Sequence, residues 1–148
     1  NVKIFVGADH NGFRFRNDLV SYLRSAGYSV VDDGDKKLDP DDDFPLFAQK
    51  VVNNVLSDND RETRGVLLCG SGQGMCMAAN RFRGIRACLG YDRESVRSAR
   101  NDDDSNVLCL PANTLEKGEL KVIVETWLNT PFANASRFKR RIKELDEL

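Results

Sequence analysis

At 148 residues, with 41% hydrophobic and 30% charged side chains, the chain has the size and composition of one ordinary folded domain, not of a disordered or fibrous polymer. The 22 Lys and Arg against 23 Asp and Glu leave a net charge of −1, so no global field points to nucleic acid or to an anionic membrane. No apolar stretch approaches the ~18 residues of a membrane span, and the first residues read straight into a strand and not into a signal sequence, so the expectation is a cytoplasmic protein.

In chain order, Val2 to Gly7 reads as a buried strand, and Phe15, Leu19 and Leu23 mark a helical face that Gly27 ends. Tyr28 to Asp32 is a second strand, an acidic loop runs from Asp33 to Asp43, and Phe47, Val51, Val52, Val55 and Leu56 mark a second helix. Gly65 to Cys69 is the third strand, followed by a helix over about 73–82; Ile85 to Leu89 is the fourth, followed by a helix over about 92–100. Asn106 to Leu110 is the fifth strand. A long helix over about 115–128 carries Leu120, Ile123, Val124 and Trp127, and the basic segment from Ser136 closes the chain as a short helix. Alternation this regular predicts a single domain over 1–148 with an α/β fold: a three-layer α/β/α Rossmann-like arrangement around a five-stranded parallel sheet. Ligands of such sheets bind beyond the carboxyl ends of strands at the point where strand order reverses, so the strands ending at Asp9-His10 and at Cys69 are expected to be neighbours.

Cys69 ends the apolar run Gly65-Val66-Leu67-Leu68 and is followed at once by Gly70-Ser71-Gly72-Gln73-Gly74. Three glycines let a ligand approach the backbone, the first amides of the next helix have no intrahelical partner, and such a position favours an anion and lowers a thiol's pKa. Three other readings of this loop each fail on a residue. A dinucleotide fingerprint needs a glycine where Met75 stands, a nucleoside-triphosphate loop needs Lys-Ser/Thr where Met75-Cys76 stand, and a cysteine phosphatase needs an arginine at Met75. What remains is a thiol beside an anion-binding loop, with Asp9 and His10 arriving from the neighbouring strand. That set suits proton transfer between adjacent carbons of a sugar phosphate, with amides where the enediolate oxygen develops. The alternative is that Cys69 is one more small buried hydrophobe.

The four cysteines, Cys69, Cys76, Cys88 and Cys109, form no C-x-x-C pair, which suits reduced thiols and argues against a disulfide frame or a zinc site. His10 is the chain's single histidine, and its place beside Asp9 at the ligand edge favours a functional role over a structural one. Arg137 and Arg141, spaced i, i+4, could clamp a phosphate, although spacing alone equally describes a solvated basic helix. The runs Asp41-Asp42-Asp43 and Asp102-Asp103-Asp104 read as solvated loops, not as cation sites.

Taken together, Gly7-Ala8-Asp9-His10-Asn11-Gly12-Phe13, Asp43-Phe44-Pro45, Leu68-Cys69-Gly70-Ser71-Gly72-Gln73-Gly74, Ala78-Ala79-Asn80-Arg81 and Gly84-Ile85-Arg86-Ala87 resemble, at matching spacing and almost end to end, the type B ribose-5-phosphate isomerase and galactose-6-phosphate isomerase family. The resemblance implies an aldose–ketose isomerase of sugar phosphates without metal or other cofactor, acting as a homodimer or homotetramer with active sites shared between subunits. It places Cys69 as the base, with Ser71 and Asp102 also in catalytic positions. Asp9, His10, Gly70, Gly72, Gln73, Gly74, Asp103 and Asn113 fall at sugar-binding positions, and Arg137 and Arg141 at phosphate-binding ones. Three departures stand out. Asp102 replaces the family's ring-opening histidine, Asn113 replaces a phosphate-binding arginine, and Phe44 replaces the tyrosine of the D-Y-P motif. The lost arginine contact is of a kind worth about 1.5–3 kcal/mol. A terminally phosphorylated tetrose, which cannot close a furanose, would need no ring-opening group, so it stands as an alternative substrate beside a pentose or hexose phosphate. A binding or regulatory homologue without turnover is the alternative of another class.

Overall fold

The apolar runs become the strands. In the computed structural model, which describes residues 2–148, the chain alternates β1 (Lys3–Ala8), α1 (Phe13–Ser25), β2 (Ser29–Asp32), α2 (Phe44–Ser57), β3 (Arg64–Cys69), α3 (Gln73–Ala79), β4 (Ala87–Leu89), α4 (Arg93–Asp103) and β5 (Val107–Pro111), followed by α5 (Lys117–Asn129) and α6 (Ser136–Asp146). All five strands are parallel, in the order β2-β1-β3-β5-β4. Side chains alternate between the two faces of a strand, and both faces here are apolar. Ile4, Val6, Leu68, Leu108 and Leu110 pack against Leu19 and Leu23 of α1 and Ile123 and Trp127 of α5. Phe5, Leu67, Cys69, Val107 and Cys109 pack against Val51 and Val55 of α2 and Met75 and Ala79 of α3. The result is the expected three-layer α/β/α arrangement.

Strand order reverses between β1 and β3, whose carboxyl ends pair Ala8 with Leu68, so the neighbours expected at the ligand edge are neighbours. Element ends shift by up to three residues from the sequence reading, and three of these shifts have a visible cause. The third helix stops at Ala79, not near Phe82, and the fourth strand starts at Ala87, not Ile85. Asn80 is the reason: its side-chain oxygen accepts from the Ala87 amide (2.8 Å) and its Nδ2 donates to the Ala87 carbonyl (2.9 Å), turning the chain between them. The fourth helix continues past Arg100 to Asp103. Arg100 Nη1 donates to the Asp104 carboxylate at 2.8 Å, and Asp104 ends the helix in the left-handed region at φ 50°. Asp102 and Asp103 are therefore on a helix, not in a solvated loop.

Buried arginines anchor the other end of the molecule. Arg64 donates to the Trp127 carbonyl (3.1 Å) and Arg100 to that of Thr130 (3.1 Å), so two guanidinium groups satisfy the last carbonyls of α5, which a helix cannot satisfy itself. Burial, with repulsion from Arg100 adding to it, pushes the Arg64 guanidinium down to about 10.

Candidate active site

The carboxyl edge of β1 and β3 gathers one group of side chains. Asp9 is 6% exposed, and its carboxylate accepts from the amides of Asn11 (3.0 Å) and Gly12 (3.3 Å), while its own amide donates to the Leu68 carbonyl (3.2 Å). Burial raises the Asp9 pKa above the ordinary carboxylate value, and the two amide bonds oppose that rise. The His10 ring lies beside Asp42, Nδ1 to Oδ1 at 2.8 Å, and the His10 amide donates to the same oxygen at 3.1 Å. This partnership raises the imidazole's pKa above 6.5.

Asp42 corrects the sequence reading of its loop as merely solvated: its side chain is only 7% exposed. Asn11 joins the same edge, its Oδ1 accepting from Asn113 Nδ2 at 3.1 Å, while the Asn113 amide donates to the Gly70 carbonyl at 3.0 Å. Neither Asp42 nor Asn11 stood out as a site residue in the sequence, although Asn11 lies inside the opening motif and Asp42 is next to Asp43-Phe44-Pro45.

The glycine loop lies across this edge. Gly72 adopts φ 76°, a conformation side chains rarely take, and a Cβ there would sit 2.6 Å from Leu89 Cδ1. A Cβ on Gly74 would meet the Phe44 ring at 2.8 Å, so this ring seats directly against the loop. The Gln73 amide donates to Ser71 Oγ (3.3 Å) and the Cys76 amide to the Gly72 carbonyl (3.1 Å), which leaves the amides of Ser71, Gly72 and Gly74 without a protein acceptor among the described residues. Ser71 and Gln73 are exposed. Cys69 is 5% exposed; its side chain shares the α2/α3 face with Val51, Met75 and Cys109 and keeps only a narrow contact with solvent. Asp9, His10 and Asp42 each bring a ligand atom within 4.8 Å of the others, the one such trio among the described residues, and the His10 nitrogen in it is already engaged by Asp42.

The remaining sequence-predicted residues lie elsewhere in the chain. Asp102 and Asp103 end α4 at the amino edge of the sheet, just before β5 begins, where the Gly65 amide of β3 donates to the Asn106 carbonyl at 2.9 Å. Asp102 accepts from Asn101 Nδ2 at 2.8 Å. Partial desolvation raises the Asp103 pKa, Asp102 adds to the rise, and Arg141 and Arg86 oppose it, which puts α6 beside these carboxylates. Arg137 and Arg141 are exposed on α6, with Arg137 stacked 4.5 Å over the Phe138 ring, and α6 is tied to the same edge by Asp146 with Arg86 (3.7 Å). At about 3.3 Å per residue, the five steps from Arg64 to Cys69 separate the two edges by roughly 16 Å. The chain thus carries the sequence-predicted residues in two separate groups: thiol, carboxylate, imidazole and free amides at one edge, and the α4 carboxylates with the α6 arginines at the other.

Comparison with known proteins adds to this geometry. The family described as Ribose/Galactose Isomerase matches residues 4–145. The chain is 35% identical over 142 residues to a probable ribose-5-phosphate isomerase B of Mycoplasma genitalium, covering 96% of this chain and 92% of that one. It is 30% identical over 146 residues to ribose-5-phosphate isomerase B of Mycolicibacterium paratuberculosis, covering 99% and 91%. Among solved structures, a ribose 5-phosphate isomerase of Thermotoga maritima superposes with a TM-score of 0.93 at 39% identity, covering 100% of this chain and 99% of that one. The Mycoplasma genitalium enzyme with bound ribulose-5-phosphate superposes with a TM-score of 0.94 at 34% identity, covering 99% and 95%.

Proposed function

The chain belongs to the ribose/galactose isomerase family and is a sugar-phosphate aldose–ketose isomerase, and from that premise we propose that it interconverts an aldose phosphate of the ribose 5-phosphate type with its ketose, using Cys69 as the base. The observation that carries this reading is the thiol at the end of β3, directly before a loop with three free amides and beside a buried carboxylate. The thiolate takes a proton from the carbon next to the carbonyl and returns it to the neighbouring carbon. The amides of Ser71, Gly72 and Gly74 hold the charge that develops on oxygen, while Asp9 and His10, the latter fixed by Asp42, hold the sugar hydroxyls. Asp102 stands in for ring opening, Asp103 contacts the sugar, and Arg137 with Arg141 binds the phosphate. Because these four lie at the opposite edge of the sheet, the complete site forms between two copies of the chain.

A second substrate reading has an observation of its own. The Asn113 amide group is engaged with Asn11, so this position offers a phosphate less charge than an arginine would. Together with Asp102 in the ring-opening place, that favours a short, non-cyclising aldose phosphate. One experiment addresses both readings: exchange of the substrate's C1 or C2 proton with deuterated water across phosphorylated tetroses, pentoses and hexoses, with Cys69→Ala and Cys69→Ser beside the unaltered chain. A positioned base contributes about 10²–10⁴-fold, so both variants are expected to lose at least 10²-fold in exchange while melting near the parent temperature. Near-normal exchange in Cys69→Ala rejects the thiol's role. Ligand-induced stabilisation with no exchange from any sugar identifies a binding protein instead.

A further inference from the structure

Asn11, to which the proposed reaction gives no part, is an exposed side chain held at both ends. Its own amide donates to the Asp9 carboxylate at 3.0 Å, which fixes the stem, and its Oδ1 accepts from Asn113 Nδ2 at 3.1 Å, which fixes the head. Asn113 is in turn tied to the glycine loop. Its amide donates to the Gly70 carbonyl at 3.0 Å, and the Ala112 amide before it donates to the Cys69 carbonyl at 2.9 Å. In the sheet β3 lies between β1 and β5; Asn11 follows β1 and Asn113 follows β5, so the bond between the two carboxamides bridges the end of β3 where Cys69 passes into Gly70.

Gly70 records how closely they sit. It is not in the left-handed region, yet a Cβ there would lie 3.1 Å from Asn113 Nδ2 and 3.2 Å from Asn11 Nδ2. A carboxamide can present either its oxygen or its nitrogen, and here the bond from Asn113 decides which. The Asn11 oxygen is spent, so the group offers Nδ2, a donor with no protein acceptor among the described residues, beside the stretch between the thiol and the free amides of Ser71 and Gly72. A fixed donor is worth most against an oxygen that gains negative charge during the reaction.

We propose that Asn11 Nδ2 donates to the enediolate oxygen as a side-chain companion of the loop amides, and that Asn113 is the positioning residue that keeps it turned that way. The proposal rests on the isomerase reading of this site. Asn11 holds charge and moves no proton, so its removal lowers kcat without altering the pH profile.

The test measures kcat and KM for Asn11→Ala, Asn113→Ala and the double variant, using the sugar phosphate that the unaltered chain turns over fastest. Because both side chains are exposed and the bond from residue 11 to Asp9 is made by the backbone, all three are expected to melt near the parent temperature. Asn11→Ala is expected to lose about ten-fold or more in kcat, with KM and the shape of the pH profile little changed. Asn113→Ala loses less, and the double variant loses no more than Asn11→Ala alone, since Asn113 acts through Asn11. Asn11→Asp keeps the bond to Asn113 but turns a carboxylate oxygen toward the substrate, and it loses more than Asn11→Ala. In parallel, the side-chain amide resonances of Asn11, assigned by their disappearance in Asn11→Ala, are followed by NMR as ribose 5-phosphate is added, and they are expected to move. Unchanged kcat in Asn11→Ala, or a loss wholly in KM, overturns the donor's role and leaves the isomerase reading standing. Additive losses in the double variant overturn the positioning role of Asn113. A chain that isomerises no sugar phosphate, but whose Asn11 resonances move on adding ribose 5-phosphate, keeps the contact and removes the isomerase reading; unmoved resonances in such a chain overturn both.

Discussion

The imidazole of His10 owes its elevated pKa first to Asp42, and because the chain has no other histidine its titration is read from a single ring resonance. A histidine whose folded pKa lies above its unfolded value adds stability that is fully present below the unfolded pKa, 6.5 here, and is lost as pH rises through the folded pKa. In Asp42→Asn the resonance is expected to titrate closer to 6.5, and the mildly acidic gain in stability over alkaline pH should vanish, as followed by NMR and by melts across the same range. An unmoved titration would place the cause of the shift elsewhere. Asp9 runs in the other sense from the usual carboxylate: burial raises its folded pKa, so its ionisation lowers stability as pH rises above 3.8. Asp9, His10 and Cys69 were legible as a group because each sits at the end of an apolar strand and beside glycines. Asp42 was not, because three consecutive aspartates have the same local chemistry, and only the fold decides which one turns toward a ring 32 positions away.

At the scale of elements, the loop between β3 and α3 depends on glycine for two separate reasons, and substitutions can separate them. Gly27 and Gly72 both have positive φ, 96° and 76°, but a Cβ on Gly27 meets nothing within 4 Å, whereas one on Gly72 strikes Leu89 at 2.6 Å. Gly27→Ala is expected to cost the left-handed penalty alone, about 1–2 kcal/mol, or several degrees in melting temperature. Gly72→Ala should cost more than that and also abolish turnover, because the displaced backbone carries the free amides; paired melts and kinetics of the two variants check both statements. Parallel strands buried on both faces announce themselves as continuous apolar runs, as β1, β3 and β5 do, whereas the start of the less buried edge strand β4 was misplaced by two residues. Their order was not readable, since β5 inserts between β3 and β4 through contacts no local pattern encodes. The ends of α3 and α4 were misplaced for a similar reason: Asn80 gripping Ala87 across seven positions, and Asp104 leaving the helix under Arg100, are decisions of single side chains.

For the whole molecule, the decisive feature is that the residues proposed for one site lie at opposite edges of one sheet. Side chains reach only a few ångströms, so the thiol edge of one chain meets Arg137 and Arg141 only if these come from a second copy. On the proposed reading the interface then belongs to the chemistry, and loss of one edge can be made good by a partner that has lost the other. If Cys69 is the base and the two arginines hold the phosphate, as proposed, Cys69→Ala and Arg137→Ala/Arg141→Ala chains are each expected to be nearly inactive alone. In a symmetric dimer each site draws one edge from each subunit, so a heterodimer of the two variants has one wholly intact site and one doubly defective site. After unfolding and refolding an equal mixture, random pairing regenerates intact sites in roughly a quarter of all positions, and activity should return to about that fraction of the unaltered enzyme. Mixing without refolding tests the same point by time, since activity should appear only as fast as subunits exchange. A refolded mixture no more active than its two components would mean that each chain completes its own site, and that α6 must swing from the amino edge to the carboxyl edge of its own sheet to do so.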